Sequence, residues 1–205
     1  MKVKGIAVHA SKPEEGQNAI TALLRFLQSL PLNDEYELFI QNMYKAFEST
    51  GGEGLNVKQM DEVSGSLSSN LGSIAMDEHT CKLGFNLRYP VSADYLAIDQ
   101  KLKDLAAKNE GTYEVFDHLA SIHLEKDHPF VTTLLSVYNN VTGEEAKAKT
   151  MGGATYARAL DAGVAFGALF DDSPDTAHQR DEHVRISDMI KAIEIYAESL
   201  YALTR

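Results

Sequence analysis

Two isolated side chains in the first half of the sequence are of types that can bind or polarise a small anionic ligand. His9 ends a predicted strand two residues before Ser11, where an imidazole can donate to a ligand or an oxyanion beside a helix N-terminus. Arg88 lies on the polar face of an alternating strand, and its planar guanidinium matches a carboxylate. A polar turn residue and a solvated strand arginine are the structural alternatives, and the residues alone leave them open.

Two loops in the second half could complete such a site. Gly152, Gly153 and Thr155 lie between a predicted strand and a helix, where paired glycines allow close backbone approach and the following N–H groups can bind an anion. His178 follows an apolar run, at the position where α/β proteins place their sites, and carboxylates flank it. A plain Gly-Gly turn and a solvated acidic loop explain the same residues, so spacing by itself assigns no function.

Composition narrows the class of protein. The 205 residues carry 30 acidic and 19 basic side chains, a formal charge of −11 that repels nucleic acid. No apolar run approaches the roughly 18 residues of a membrane span, and the first residues do not read as a signal peptide. The single cysteine, Cys81, excludes an internal disulfide and favours a cytoplasmic location. We therefore expect a globular protein with neither a nucleic-acid nor a membrane partner.

The elements that must position His9 and Arg88 follow the order β-α-β-β-α-β once a helix over 35–48 is set aside. The alternation of apolar and polar residues predicts strands at 2–8, 71–77, 81–89 and 112–124. Helices are predicted after the caps Ser11, with Glu14 as its capping-box partner, and Ser92. This order is typical of a ferredoxin-like α+β sandwich, and we expect that domain to span residues 1–126.

Residues 127–205 have a different organisation. The pattern predicts a helix from Pro129 to near Gly143, strands at 146–150 and 163–170, and a last helix capped by Ser187. That helix has an apolar stripe of five residues, which are Met189, Ile193, Tyr196, Leu200 and Leu203. This second segment reads as the C-terminal part of an α/β domain that needs strands from elsewhere.

Four motifs, taken in order, resemble a known family. They are GIAVHAS at 5–11 followed by Pro13, Gly16, Asn18 and Ala19; NLRYP at 86–90; GGATYAR at 152–158; and DTAHQ at 175–179. The first two are similar to the lid-domain motifs of the zinc-dependent aminoacylase/carboxypeptidase-like metallopeptidases. The last two resemble the PepV-type (Xaa-His) dipeptidase branch, and the likeness covers nearly the whole chain.

The resemblance implies roles for the candidate residues. In such enzymes a lid domain, here 1–126, interrupts a catalytic α/β domain with two zinc ions, whose end would be 127–205. His178 would be a zinc ligand, and His9 would polarise the scissile carbonyl and stabilise the oxyanion. Arg88 would hold the free C-terminal carboxylate of a dipeptide. Gly152, Gly153 and Thr155 would contact the substrate.

Several departures from the family pattern limit what this chain can do. No histidine is followed two residues later by aspartate, so the family's His-x-Asp metal motif and its general-base glutamate have no counterpart. One histidine cannot hold a catalytic zinc, which needs about three protein ligands. Ala154, Arg180 and His183 also stand where a glycine, a proline and a tyrosine are usual. We expect a truncated, inactive portion of a dipeptidase that holds no zinc stably by itself.

Two other interpretations stay open at this point. A non-catalytic module could use the lid fold for peptide binding or for dimerisation, and a sheet edge left uncovered near 163–170 would favour a homodimer. Alternatively, the chain could be an unrelated α+β binding protein whose motifs coincide by chance.

Overall fold

The structure, a computed structural model, describes residues 2–160, 162–167, 169–177 and 180–205. The chain forms two compact units. The first comprises Met1–Leu119 with Met151–Gly153, and the second comprises Ala120–Thr150 with Ala154–Arg205. The predicted division at residue 126 into a lid and a catalytic segment stays a prediction.

Three helices and two small antiparallel sheets build the first unit, which confirms the α+β class. The helices are α1 (Ala19–Leu27), α2 (Asp34–Phe47) and α3 (Tyr95–Lys108), and the strands are β1 (Met60–Asp61), β2 (Gly65–Ser66), β3 (Ser68–Met76) and β4 (Cys81–Arg88). Each helix begins at a side chain that accepts backbone N–H bonds, namely Asn18, Asn33 and Asp94. Such caps satisfy donors that have no partner inside the helix.

The β3–β4 hairpin carries Arg88. Its register pairs Ser68 with Arg88 and Met76 with Cys81, with an irregularity between Leu71 and Ser73. The predicted alternation of β4 is confirmed, since its apolar side chains all pack against the core. They are Cys81, Leu83, Phe85 and Leu87, followed by Tyr89 just beyond the strand. Arg88 therefore projects from the opposite face of the hairpin.

The core of the first unit lies where the helices cover one face of this hairpin. Ile98 and Val57 are fully buried, and Leu24 is almost so. Their neighbours in the same buried cluster are Ile40, Met43, Phe47, Leu55, Leu67, Leu71 and Leu102. This packing fixes the base of β4 and so the place from which Arg88 extends.

The outer strands of the predicted sandwich are not formed. Residues 2–8 make only an isolated bridge between Ile6 and Gln17, and 112–124 contain no strand. Ile6 and Val8 are 56% and 40% exposed, so the apolar residues that suggested a strand are not buried in a sheet. Of the βαββαβ order, the hairpin and the helices beside it are observed.

The helix start predicted at Ser11 is wrong. Residues Pro13–Glu15 form a single 3₁₀ turn, the chain becomes extended at Gly16, and α1 begins after Asn18. Asn18 is the N-cap of α1, because its carboxamide oxygen accepts hydrogen bonds from two backbone N–H groups, those of Ile20 and Thr21. Ser92 is likewise not a cap, since Asp94 caps α3.

The second unit is built from two long helices. These are α4 (Pro129–Thr142), which ends as predicted at Gly143 in a left-handed conformation with φ 75°, and α5 (Ile186–Leu203). The strands predicted at 146–150 and 163–170 are absent from the described residues of those segments. Leu169 is 63% exposed. The described residues of this unit contain no strand with which the apolar residues of 163–170 could pair. The described residues of 163–170 therefore offer no sheet edge of the kind that would favour a homodimer.

Helix α5 packs on α4 through a face other than the predicted one. The buried residues are Asp188, Ala192, Ile195 and Ser199. All five residues of the predicted stripe are exposed by between 38% and 65%. Two of the four buried residues, Ala192 and Ser199, have small side chains, which suit a face that packs on another helix. Helix α5 follows Arg185, not Ser187, and none of the helices in the described ranges is long and apolar enough to cross a membrane.

Candidate functional site

His9 lies on a short turn that precedes the 3₁₀ turn of the first unit. The N–H of Lys12 donates to the carbonyl of His9 at 2.9 Å, and Pro13 next to it is buried. The imidazole Nδ1 lies 2.6 Å from Ser11 Oγ and also accepts the backbone N–H of Ser11 at 3.2 Å. The turn thus orients an exposed imidazole through one of its two nitrogens.

Arg88 stands at the end of β4 with its guanidinium held at two points. One terminal nitrogen donates to the carbonyl of Gly152, and the other makes a long bond of 3.4 Å to Asn86 Oδ1. The Nε is buried and finds no hydrogen-bond partner among the described residues. A guanidinium with a buried, unsatisfied donor suits an anionic ligand, because a buried donor that lacks an acceptor costs free energy.

Gly152 joins these two side chains. A Cβ added at this residue would lie 3.1 Å from the Ser11 Cβ and 3.7 Å from the Arg88 Cδ, so glycine allows the backbone to approach. The loop Met151–Gly153 accordingly belongs to the first unit, although the residues on either side of it belong to the second. Gly152 therefore adjoins both Arg88 and Ser11, and Ser11 in turn contacts His9.

The remaining predicted residues are not brought into this group. Gly153 shares the loop of Gly152, and a Cβ on it would meet the end of the Met151 side chain at 3.1 Å. Thr155 belongs to the second unit, where its hydroxyl accepts the N–H of Ala157 at 3.2 Å and caps a short 3₁₀ turn. His178 lies outside the described residues. Substrate contacts by Gly153 and Thr155 and metal ligation by His178 stay predictions.

The described residues do not by themselves form a metal site. Within 2–160, 162–167, 169–177 and 180–205, no group of three or more His, Cys, Asp or Glu side chains is placed to hold an ion. The sequence motifs name one ligand, His178, which lies outside these ranges, so its role and the binding of zinc stay predictions.

An aromatic cluster beside Arg88 was missed by sequence reasoning. His118 stacks on the Tyr95 ring with centroids 3.5 Å apart, and its Nε2 lies 2.6 Å from the Tyr89 hydroxyl. Burial, with a smaller contribution from Tyr95, raises the pKa of Tyr89. Through this cluster Tyr89, the residue after Arg88, contacts the segment that follows α3. The tyrosines give no such signal in the sequence, because Tyr89 fits the apolar alternation of β4.

An ion-pair network organises the second unit before α5. The Arg185 guanidinium bonds to Asp172 at 2.9 Å and 3.1 Å and to Asp188 at 2.8 Å, while Ser173 also donates to Asp188. Hydrogen bonds from Arg185 lower the pKa of both carboxyls. Thr176 and His183 exchange two 3.1 Å bonds further along. These contacts hold Asp172 and Ser173 beside the start of α5.

Comparison with known proteins adds an independent line of evidence. Residues 1–114 match the family model of the M20 peptidase dimerisation domain. Over 207 aligned residues the chain is 37% identical to "Putative dipeptidase YtjP" of Bacillus subtilis (strain 168), covering 100% of this chain and 44% of that protein. It is 39% identical over 210 residues to "Putative dipeptidase" of Staphylococcus epidermidis, covering 99% of this chain and 44% of the relative. The chain thus spans less than half the length of these curated relatives.

Proposed function

Because this chain belongs to the M20 peptidase family, we propose that its first unit binds the free C-terminal carboxylate of a dipeptide on Arg88 and directs His9 at the peptide carbonyl. The intact enzyme of which this sequence is a portion would hydrolyse that peptide bond. The names of the relatives support a dipeptide as substrate.

The guanidinium of Arg88 is the observation that carries the proposal. It is half-buried, its Nε has no acceptor among the described residues, and one of its terminal nitrogens donates to a neutral carbonyl, that of Gly152. A substrate carboxylate is a stronger acceptor than an amide carbonyl and can take two parallel N–H bonds from an arginine. Hydrogen bonds to charged groups contribute about 1.5–3 kcal/mol each, enough to select substrates with a free C-terminus.

His9 would act at the other end of the substrate. An imidazole N–H aimed at the carbonyl oxygen stabilises the negative charge that develops there when a nucleophile attacks. Loss of one such donor typically lowers turnover by about 10²–10³-fold. Because this donor acts mainly in the transition state, His9 would affect turnover of the intact enzyme far more than binding of the dipeptide.

A titration of the chain with a dipeptide tests the binding step. Chemical shifts of the backbone amides of β4 would be followed by NMR during titration with a dipeptide and with the same dipeptide carrying an amidated C-terminus. We expect binding of the free acid only, and at least a tenfold loss of affinity in Arg88→Ala. Lys82→Ala is the matched control, since Lys82 also points from the exposed face of β4 but stays outside the proposed site. Equal affinity for the acid and the amide would overturn the proposal.

Zinc is the second part of the proposal. We propose that His178 is a ligand of one of two zinc ions in the intact enzyme and that this chain alone binds neither tightly nor hydrolyses dipeptides. Zinc content after dialysis against excess metal, measured together with dipeptide hydrolysis, tests this. Two tightly bound ions with turnover would show that other residues build the site. Any weak zinc binding should be lost in His178→Ala and retained in His183→Ala.

Self-association is a second candidate function, favoured by the dimerisation domain that residues 1–114 match. The β3–β4 hairpin is a two-stranded sheet among the described residues, so its outer strand edges are candidates for pairing with a second copy. Sedimentation velocity over a range of concentrations would detect the dimer, and a monomer at all concentrations would reject this function. We also propose a cytoplasmic location, on the single cysteine and the acidic composition.

A further inference from the structure

Two contacts from Ser11 to the His9 ring indicate which of its nitrogens carries the hydrogen. The backbone N–H of Ser11 points at Nδ1 with an N···N distance of 3.2 Å. A backbone amide can only donate, so Nδ1 must accept and carries no hydrogen of its own. If Nδ1 were protonated, two N–H groups would face each other.

The Ser11 hydroxyl then has a defined role. Its oxygen is 2.6 Å from the same nitrogen, a distance at which a hydroxyl can either donate or accept. Because Nδ1 has no hydrogen to give, the hydroxyl donates, and the single lone pair of Nδ1 is shared between the hydroxyl at 2.6 Å and the backbone N–H at 3.2 Å. The single hydrogen of the neutral ring is consequently on Nε2.

We infer that Ser11 is a positioning residue that selects the His9 tautomer with its hydrogen on Nε2. The inference rests on the proposed function, in which that N–H donates to the developing oxyanion. The other tautomer would present a lone pair to the oxyanion and would repel it. Ser11 acts through His9, and touches no substrate itself.

The surroundings of Ser11 explain how a serine can perform this task. Ser11 is half-buried between the turn closed by Lys12 and the backbone of Gly152, whose added Cβ would come within 3.1 Å of the Ser11 Cβ. Buried Pro13 fixes the chain just after it. The side chain is therefore held close to the imidazole, and its hydroxyl is not available as the helix cap that the sequence suggested.

The test is the tautomer of His9, read from its ring nitrogens by ¹⁵N NMR on the whole chain. Spectra would be recorded near pH 8, well above the ordinary imidazole pKa of about 6.5, and the His9 signals would be assigned by their loss in His9→Gln. We expect Nδ1 to be unprotonated and Nε2 protonated in the native chain. In Ser11→Ala the population of the minor tautomer should rise about fivefold, the ratio for a hydrogen bond of about 1 kcal/mol.

Two controls separate a tautomer effect from a general loss of structure. Ser11→Thr keeps the hydroxyl and should restore the native ring signals, whereas Ser29→Ala removes a different hydroxyl of the same unit and should leave them unchanged. Protonation of Nδ1 in the native chain, or ring signals that do not respond to Ser11→Ala, would overturn the inference. The measurement involves neither substrate nor turnover, so it can fail while carboxylate binding by Arg88 succeeds, and the reverse also holds.

Discussion

The guanidinium of Arg88 donates to the backbone carbonyl of Gly152, which lies 64 residues further along the chain. This contact holds a loop from the second half of the sequence against the exposed side of the β3–β4 hairpin. The same loop leaves room for Ser11, and through Ser11 it adjoins His9. A substitution at Gly152 should therefore alter the positions of both Arg88 and His9.

Replacement of Gly152 by alanine tests this coupling. The new Cβ would lie 3.1 Å from the Ser11 Cβ and 3.7 Å from the Arg88 Cδ, so Ser11 must shift by a few tenths of an ångström. We expect the affinity for a dipeptide to fall about fivefold, equivalent to the roughly 1 kcal/mol at the lower end of overpacking costs. Gly111→Ala, in the same unit and outside the proposed site, is the control, because its Cβ would make only ordinary contacts, the nearest with the Ala106 carbonyl oxygen at 3.4 Å. Similar losses in both variants would contradict the coupling.

The local patterns of the first unit were sufficient to predict its central elements. Alternation along β4 fixed which side chains face the core and which face outward, and therefore placed Arg88 correctly. The extent of α2 and the end of α4 at Gly143 also followed from local signals. Strands were predicted at 2–8 and 163–170 but are not observed in the described residues of these segments. An apolar run only favours a strand, and a strand exists only where a neighbour pairs with it.

For the site, sequence motifs identified residues and the structure added the links between them. Neither Ser11 nor Gly152 has a side chain that signals its contact, since one reads as a helix cap and the other as a turn. Their proximity depends on the loop Met151–Gly153 returning to the first unit, a long-range relationship that spacing cannot reveal. The same holds for the stacking of His118 on Tyr95.

Truncation of Ile98 should destabilise the first unit severely. Its side chain is fully buried on α3, and replacement by alanine in such a position costs about 2–5 kcal/mol through lost burial and the cavity left behind. Leu96→Ala on the same helix is the matched control, because Leu96 is 72% exposed and should change stability by less than about 0.5 kcal/mol. Urea unfolding of both variants gives the comparison. Equal effects would place the core of this unit elsewhere.

Acid should lower the free energy of unfolding of the second unit, because the ion pairs around Arg185 are lost when their carboxylates are protonated. The pKa of Asp188 is lowered by the bonds from Arg185 and Ser173, so the charged form stabilises the fold above the unfolded pKa of about 3.9. That stabilisation is lost as the pH falls through the lower, folded pKa. Asp188→Asn should therefore unfold at a lower temperature than the native chain at neutral pH, with the gap closing in acid.

The exposed pair of Asp171 and Lys149 supplies the control for this network. Their side chains are 90% and 77% exposed, and ion pairs in that setting contribute little to stability. Asp171→Asn should leave the midpoint of thermal unfolding nearly unchanged at each pH, measured by circular dichroism. A gap for Asp188→Asn that stays constant down to pH 2 would show that its carboxylate is not the group that titrates.

Alkaline pH should weaken the second unit through Tyr138. Burial, and then the hydrogen bond to Glu144 at 3.1 Å, raise the pKa of Tyr138 to about 12. Because the unfolded chain loses this proton near pH 10, the stabilisation is complete below pH 10 and is lost as the pH rises toward 12. Tyr138→Phe cannot ionise, so its free energy of unfolding should fall less steeply over that range. Tyr156→Phe, which alters a side chain that is 98% exposed, controls for the loss of one phenol. Identical slopes for the native chain and Tyr138→Phe would remove Tyr138 as the titrating group.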